Sequence, residues 1–161
     1  MTARLHLSAA LACVMGTCLI AASDPPLALP GTTGGLTPAA ALAQLKTGNE
    51  RFSRNASRAA AVTVVRRKEV AAEQHPVAMV LTCADSRVPP EHVFNMGLGE
   101  LFVIRTHGAV VDRAVLATIE HGAERLHIPL LVVMGHEQCD AVKHASESTT
   151  AAASPNMDYL V

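Results

Sequence analysis

The chain has few aromatic residues and no excess of charge of either sign. Phe, Trp and Tyr make up 2% of its 161 residues, and Trp is absent. Its 13 Lys and Arg nearly balance 14 Asp and Glu, for a formal net charge of −1. Such a chain offers few surfaces for base stacking and no electrostatic attraction to nucleic acid or an anionic membrane. We therefore expect no nucleic-acid partner, and the length favours a single domain.

The chain begins with the pattern of a secretory signal peptide, over residues 1–23. Arg4 supplies a positive charge, residues 5–22 are mostly apolar, and small residues end the run. A membrane anchor of marginal length, or a lipid attached at Cys18, are the alternatives. We expect cleavage, a linker over residues 24–36, and an exported protein, periplasmic or secreted, without stable membrane insertion.

Cysteine is also scarce, and its positions matter. Cys13 and Cys18 lie in the predicted signal peptide, so the mature chain keeps only Cys83 and Cys139. Two cysteines in an exported protein suggest a disulfide. That interpretation stays open beside any chemical role for the two thiols.

Apolar runs and helical periodicity alternate along the rest of the chain. Continuous apolar runs are typical of strands buried on both faces of a parallel sheet. Strands that alternate with helices indicate an α/β fold with a mainly parallel central sheet flanked by helices. We expect this domain to span residues 37–145 and to be followed by a flexible tail over residues 146–161. The predicted strands are 77–82, 101–104 and 129–134, and the predicted helices are 39–52, 63–74 and 112–126, with Thr37 and Asp112 as N-caps.

Two segments rich in chemical groups follow directly after predicted strands. One contains Cys83, Asp85 and Arg87, and the other contains His136 and Cys139. Ligands gather at the carboxyl ends of parallel strands, so these segments are expected to meet. Two thiolates and one imidazole leave a fourth position on a tetrahedral zinc, as in catalytic sites. On spacing alone, ordinary core cysteines or a disulfide remain equally compatible with the pattern.

Asp85 and Arg87 favour a reactive site over an inert one. Asp85 could occupy the fourth zinc position or hydrogen-bond a zinc-bound water. Arg87 could pair with Asp85 in a bidentate manner, hold it off the metal and keep it ionised. The alternative is a solvated turn with a surface ion pair of little energetic value.

These segments resemble the zinc signature of the beta-class carbonic anhydrases, Cys-x-Asp-Ser-Arg followed by His-x-x-Cys. Further family-like strings extend the resemblance over residues 36–145. It implies that Cys83, His136 and Cys139 bind Zn²⁺, that metal-bound hydroxide hydrates CO₂ to bicarbonate, and that the chain forms a homodimer or higher homo-oligomer. Asp85 is then a fourth ligand in a closed state, or the partner of Arg87 in an open one. The further strings are Gly-Asn-Glu-Arg-Phe at 48–52, His-Pro at 75–76, Val-Pro-Pro-Glu at 88–91 and Gly-Leu-Gly-Glu-Leu-Phe-Val-Ile-Arg at 97–105.

The chain departs from the family pattern at several places. His107 and Ala109 flank the glycine of a loop that lies near the active site in the family. Asp140 stands where the family has glycine, and Met96 where it commonly has a glutamine. The family domain also continues further past His-x-x-Cys, so we expect a sheet that is incomplete at the C-terminal end. A catalytically weak or inactive zinc-binding paralogue or fragment, a related lyase or hydrolase, and a metal-free disulfide domain are the alternatives.

Overall fold

The computed structural model describes residues 36–58, 61–147 and 154–158. The predicted signal peptide and all but the last residue of the predicted linker lie outside these ranges. None of the helices within them is long and apolar enough to cross a membrane. The predicted domain boundaries stay predictions.

Three parallel strands form the sheet, in the order β2-β1-β3. They are β1 (Ala78–Cys83), β2 (Leu101–Thr106) and β3 (Leu131–Met134). β1 pairs with both neighbours, and all six of its residues are buried. The predicted parallel α/β fold, with helices flanking the sheet, is confirmed.

The prediction that every strand is buried on both faces is wrong for β3. Leu131 is 38% exposed and Val133 is 67% exposed. The two residues alternate along the strand, so they share one face of the sheet, and that face is largely exposed at β3. Edge position is not the reason, because β2 is also an edge strand among the described residues and none of its residues is exposed. An apolar run therefore identified the strand but not which of its faces is covered.

The helices agree with the sequence pattern where local signals mark their ends. Thr37 Oγ1 accepts a hydrogen bond from the Ala40 N–H, and Asp112 accepts one from Val115. The predicted helix over 63–74 is shorter than expected, because no residue of Val64–Glu69 is buried and packing does not extend it. The helices are α1 (Pro38–Ser53), α2 (Val64–Glu69), α3 (Pro90–Val93), α4 (Arg113–Glu124), α5 (Asp140–Glu147) and α6 (Pro155–Asp158), with a 3₁₀ turn at His107–Ala109. α5 thus ends two residues inside the predicted tail, and α6 also lies in it.

The main core lies between α1, α3 and the sheet. Leu45 of α1 packs with Val80, Val93 and Phe94, all of them buried. A Cβ atom at Gly48 would overlap the carbonyl oxygen of Phe94, so α1 approaches the end of α3 at backbone contact. These contacts support the segment that follows β1, where the predicted site begins.

Candidate metal centre

The sheet brings the two predicted ligand segments to the same edge. Cys83 is the last residue of β1, and β3 ends at Met134, two residues before His136. Thr82 is in register with Met134, and its hydroxyl donates to the Met134 carbonyl at 2.8 Å. This buried bond fixes where both strands end.

Cys83, His136 and Cys139 bring three ligand atoms together. All three atoms lie within 4.8 Å of one another. The two Sγ atoms are 4.0 Å apart and both thiols are free. Zinc–sulfur bonds of about 2.3 Å in a tetrahedron separate two sulfurs by about 3.8 Å. The residues present therefore fit a zinc ion with only small adjustment.

His136 presents an unused nitrogen to this group. Its Nδ1 lies 3.0 Å from the Glu137 carbonyl oxygen, which can only accept, so Nδ1 carries the hydrogen. Nε2 then has a free lone pair. This atom is buried and has no hydrogen-bond partner among the described residues. A buried unpaired nitrogen is costly unless it has a ligand, and a metal ion satisfies it.

Cys83 favours the thiolate that metal binding requires. Burial acts to raise its pKa, but the neighbouring polar side chains of His136 and Cys139 and the N–H groups of Asp85 and Gly108 outweigh it. The Gly108 N–H lies 3.3 Å from Cys83 Sγ. The net effect is a pKa below the ordinary value of 9.0. The anionic sulfur is the form that ligates zinc.

Asp85 and Arg87 form the expected bidentate pair. Arg87 Nε donates to Asp85 Oδ1 at 2.9 Å, and Nη2 donates to Oδ2 at 2.6 Å. Hydrogen bonds from the Arg87 side chain and backbone hold the pKa of Asp85 well below its ordinary 3.8, while Asp85 raises the pKa of Arg87. Asp85 Oδ2 lies 4.0 Å from His136 Nε2, at the rim of the ligand group. The structure thus has the paired arrangement, and direct metal ligation by Asp85 stays a prediction.

Arg87 also joins the two ligand segments. Its Nη2 donates to the Gln138 carbonyl at 3.0 Å. Gln138 has a φ of 56°, a left-handed conformation that an L-residue seldom adopts. The sequence pattern identified Arg87 as the partner of Asp85 but gave no signal for this second contact, because it depends on how the His136–Cys139 turn is folded.

An open cleft of about 620 Å³ lies over the group, with Asp85, Arg87, His107 and Asp140 among the residues that line it. The two departures from the family pattern at His107 and Asp140 therefore face the site. Met96, by contrast, is 3% exposed and packs in the main core. The cleft has room for a small molecule and mixes both signs of charge.

Comparisons with known proteins agree with this geometry. The sequence model of the carbonic anhydrase family matches residues 78–161. Carbonic anhydrase 2 of Mycobacterium tuberculosis is 47% identical over 108 residues, which is 67% of this chain and 52% of that protein. The carbonic anhydrase of Mycolicibacterium smegmatis is 45% identical over 106 residues, 66% of this chain and 52% of that protein.

Solved structures give the same result for the fold. A Coccomyxa beta-carbonic anhydrase in complex with acetazolamide is 30% identical, with a TM-score of 0.57, over 74% of this chain and 54% of that chain. A tetrameric beta-carbonic anhydrase from Sordaria macrospora is 27% identical, with a TM-score of 0.53, over 58% of this chain and 48% of that one. The chain spans about half the length of the curated relatives it matches. It belongs to the carbonic anhydrase family, in its beta class.

Proposed function

We propose that this protein is an enzyme that catalyses the reversible hydration of CO₂ to bicarbonate, with Zn²⁺ bound by Cys83, His136 and Cys139. The observation that carries the proposal is the convergence of two thiols on a buried, unpaired imidazole nitrogen beneath an open cleft. Family membership supports CO₂ as the substrate, because the relatives are named carbonic anhydrases.

The residues of the site differ in charge and position, and so in what each would contribute to the reaction. Cys83 and Cys139 supply two negative charges that offset a divalent ion, and His136 supplies a neutral donor. Zinc bound here would allow a water to ionise near neutral pH. Asp85, kept ionised by Arg87, places a hydrogen-bond acceptor 4.0 Å from His136 Nε2, and this acceptor can orient a water beside the ligand group.

The test is stopped-flow CO₂ hydration, with zinc quantified on the same purified sample. The parent chain is compared with Cys83→Ala and with Ser53→Ala, an exposed residue of α1 outside the cleft. We expect about one zinc per chain and a fast rate in the parent and in Ser53→Ala, with both lost in Cys83→Ala. A parent rate equal to that of Cys83→Ala contradicts the proposal.

A second candidate is a zinc-binding relative with weak or no turnover. Asp140 is the observation in its favour, since it adds a carboxylate to the cleft where the family motif has glycine. Full zinc occupancy without measurable hydration supports this candidate over the enzyme.

We also propose that the protein is exported and forms homo-oligomers. The N-terminal pattern supports export, and the tetrameric relative from Sordaria macrospora supports assembly. N-terminal sequencing of the chain recovered outside the cytoplasm tests export, since a start near residue 24 is expected. A recovered chain that still carries residues 1–23 contradicts cleavage.

A further inference from the structure

The segment that follows β1 is held from one side by two consecutive residues of β2. The Thr106 carbonyl accepts the Ala84 N–H at 2.8 Å. Arg105 donates from Nε to the Cys83 carbonyl at 2.9 Å, and from Nη2 to the Asp85 carbonyl. Three successive residues of the ligand segment, 83–85, are therefore each bonded to β2.

We propose that Arg105 is a positioning residue of the metal centre. Its guanidinium holds the carbonyls of Cys83 and Asp85, the same two residues whose side chains take part in the candidate site. Arg105 contacts neither the ligand group nor the Asp85 carboxylate through any of its bonds described above. It acts through the backbone, and this inference rests on the zinc site of the proposed function.

An arginine can hold two backbone carbonyls better than a lysine can, although both side chains carry a positive charge. The planar fork of an arginine presents N–H groups at fixed angles, so that one side chain can bond two acceptors at once. A lysine has the same charge but concentrates it on one flexible ammonium group. Outer residues of this kind orient the groups that bind a metal, and their loss typically weakens metal affinity about 10- to 100-fold.

The strand register explains why position 105 can make these contacts. Arg105 is in register with Thr82 and Thr106 with Cys83, so β2 and β1 end side by side. The 3₁₀ turn that follows β2 then brings the Gly108 N–H to Cys83 Sγ. β2 thus supports both the backbone and the sulfur of Cys83.

The experiment measures zinc affinity by competition with a chelator, and the absorption spectrum of the cobalt(II)-substituted chain. The variants are Arg105→Ala, Arg105→Lys and the control Arg66→Ala, whose Nε bonds the Leu98 carbonyl at 3.0 Å away from the ligand segments. We expect zinc affinity about 10- to 100-fold weaker in Arg105→Ala, with an altered cobalt spectrum. We expect a partial loss in Arg105→Lys and a change of less than about twofold in the control.

Two results would overturn the inference. One is an Arg105→Ala chain with parental zinc affinity and cobalt spectrum, and the other is full recovery in Arg105→Lys, which would assign the effect to charge. If Arg105→Ala does not fold by circular dichroism, Arg105→Lys decides by the same criteria. A parent that binds zinc without hydrating CO₂ contradicts the proposed function alone, whereas normal hydration with unchanged affinity in Arg105→Ala contradicts this inference alone.

Discussion

Asp85 illustrates how one neighbouring side chain sets the ionisation of a site residue. Its carboxylate accepts bonds from the Arg87 backbone N–H and from two nitrogens of the guanidinium. All of them favour the charged form. The pair therefore keeps Asp85 an acceptor throughout the neutral pH range.

This arrangement predicts the titration of Asp85. Because its pKa in the folded chain is lowered, the stabilisation from the ion pair is fully present above the unfolded value of about 4 and is lost as pH falls through the folded pKa. Carboxyl ¹³C shifts of the metal-free chain should show Asp85 titrating below 3.8, and Arg87→Met should return it toward 3.8. A parental midpoint at or above 3.8 would contradict the ion-pair account.

Asp140 adds a second carboxylate to the same cleft. A nearby negative charge disfavours the ionisation of any acid. Under the proposed function, Asp140 would therefore oppose the ionisation of a water at the zinc site. Asp140→Asn should therefore shift the midpoint of the hydration rate against pH downward by about 0.1–0.7 unit, as expected for an exposed charge. Glu147→Gln, on the same helix, is the control. No shift, or an upward one, would show that Asp140 does not act through its charge.

At the scale of elements, the contact between α1 and α3 supports the segment that follows β1. Asn49 Nδ2 donates to the Val93 carbonyl at 3.1 Å, next to the point where Gly48 approaches Phe94. The C-terminal end of α3 is therefore held against α1 by this hydrogen bond and this close backbone contact.

Gly48→Ala should destabilise the fold although alanine is the better helix former. The new methyl group would meet a backbone carbonyl, which cannot rotate away, so the helices must separate. We expect a loss of about 1–3 kcal/mol in the free energy of unfolding, measured by urea denaturation. Thr47→Ala, exposed on the same helix, should change it by less than about 0.5 kcal/mol. Equal stability of the two variants would rule out the packing argument.

Local signals in the sequence predicted where helices and strands lie better than they predicted what packs against them. Thr37 followed by Pro38, and Asp112, marked helix starts because capping involves residues only three apart. The exposure of Val133 and the early end of α2 depend on what packs against them, which short-range patterns do not contain.

The same division holds for the candidate site. The sequence predicted that three side chains would lie close together, because parallel strands place their carboxyl ends at one edge. These are Cys83, His136 and Cys139. The roles of Gly108, Arg105 and Gln138 could not, since each contributes a backbone group or contacts one. Such contacts depend on strand register and leave no distinctive residue pattern.

At the scale of the whole molecule, the homo-oligomer proposed above needs a contact surface, and the edge strand β3 offers an apolar one. Its apolar residues Leu131 and Val133 are exposed beside an unpaired backbone edge in the described part of the chain. Edges of this kind pair readily with other strands.

Val133→Lys should weaken self-association of the chain. Val65→Lys is a matched control, because Val65 is also 67% exposed but lies on α2, outside the sheet. Analytical ultracentrifugation should give a dissociation constant at least about tenfold higher for Val133→Lys, equivalent to ~1.4 kcal/mol, and little change for Val65→Lys. The same effect in both variants would mean that lost surface hydrophobicity, and not the strand edge, drives association.

We propose above that three side chains, one at the end of β1 and two in the turn after β3, bind one zinc ion. X-ray absorption at the zinc edge of the purified chain tests it most directly. We expect two sulfur neighbours at about 2.3 Å and lighter nitrogen or oxygen neighbours at about 2.0–2.1 Å, with one sulfur lost in Cys139→Ser. A zinc shell without sulfur, or a chain whose Cys83 and Cys139 are joined in a disulfide and bind no zinc, would contradict it.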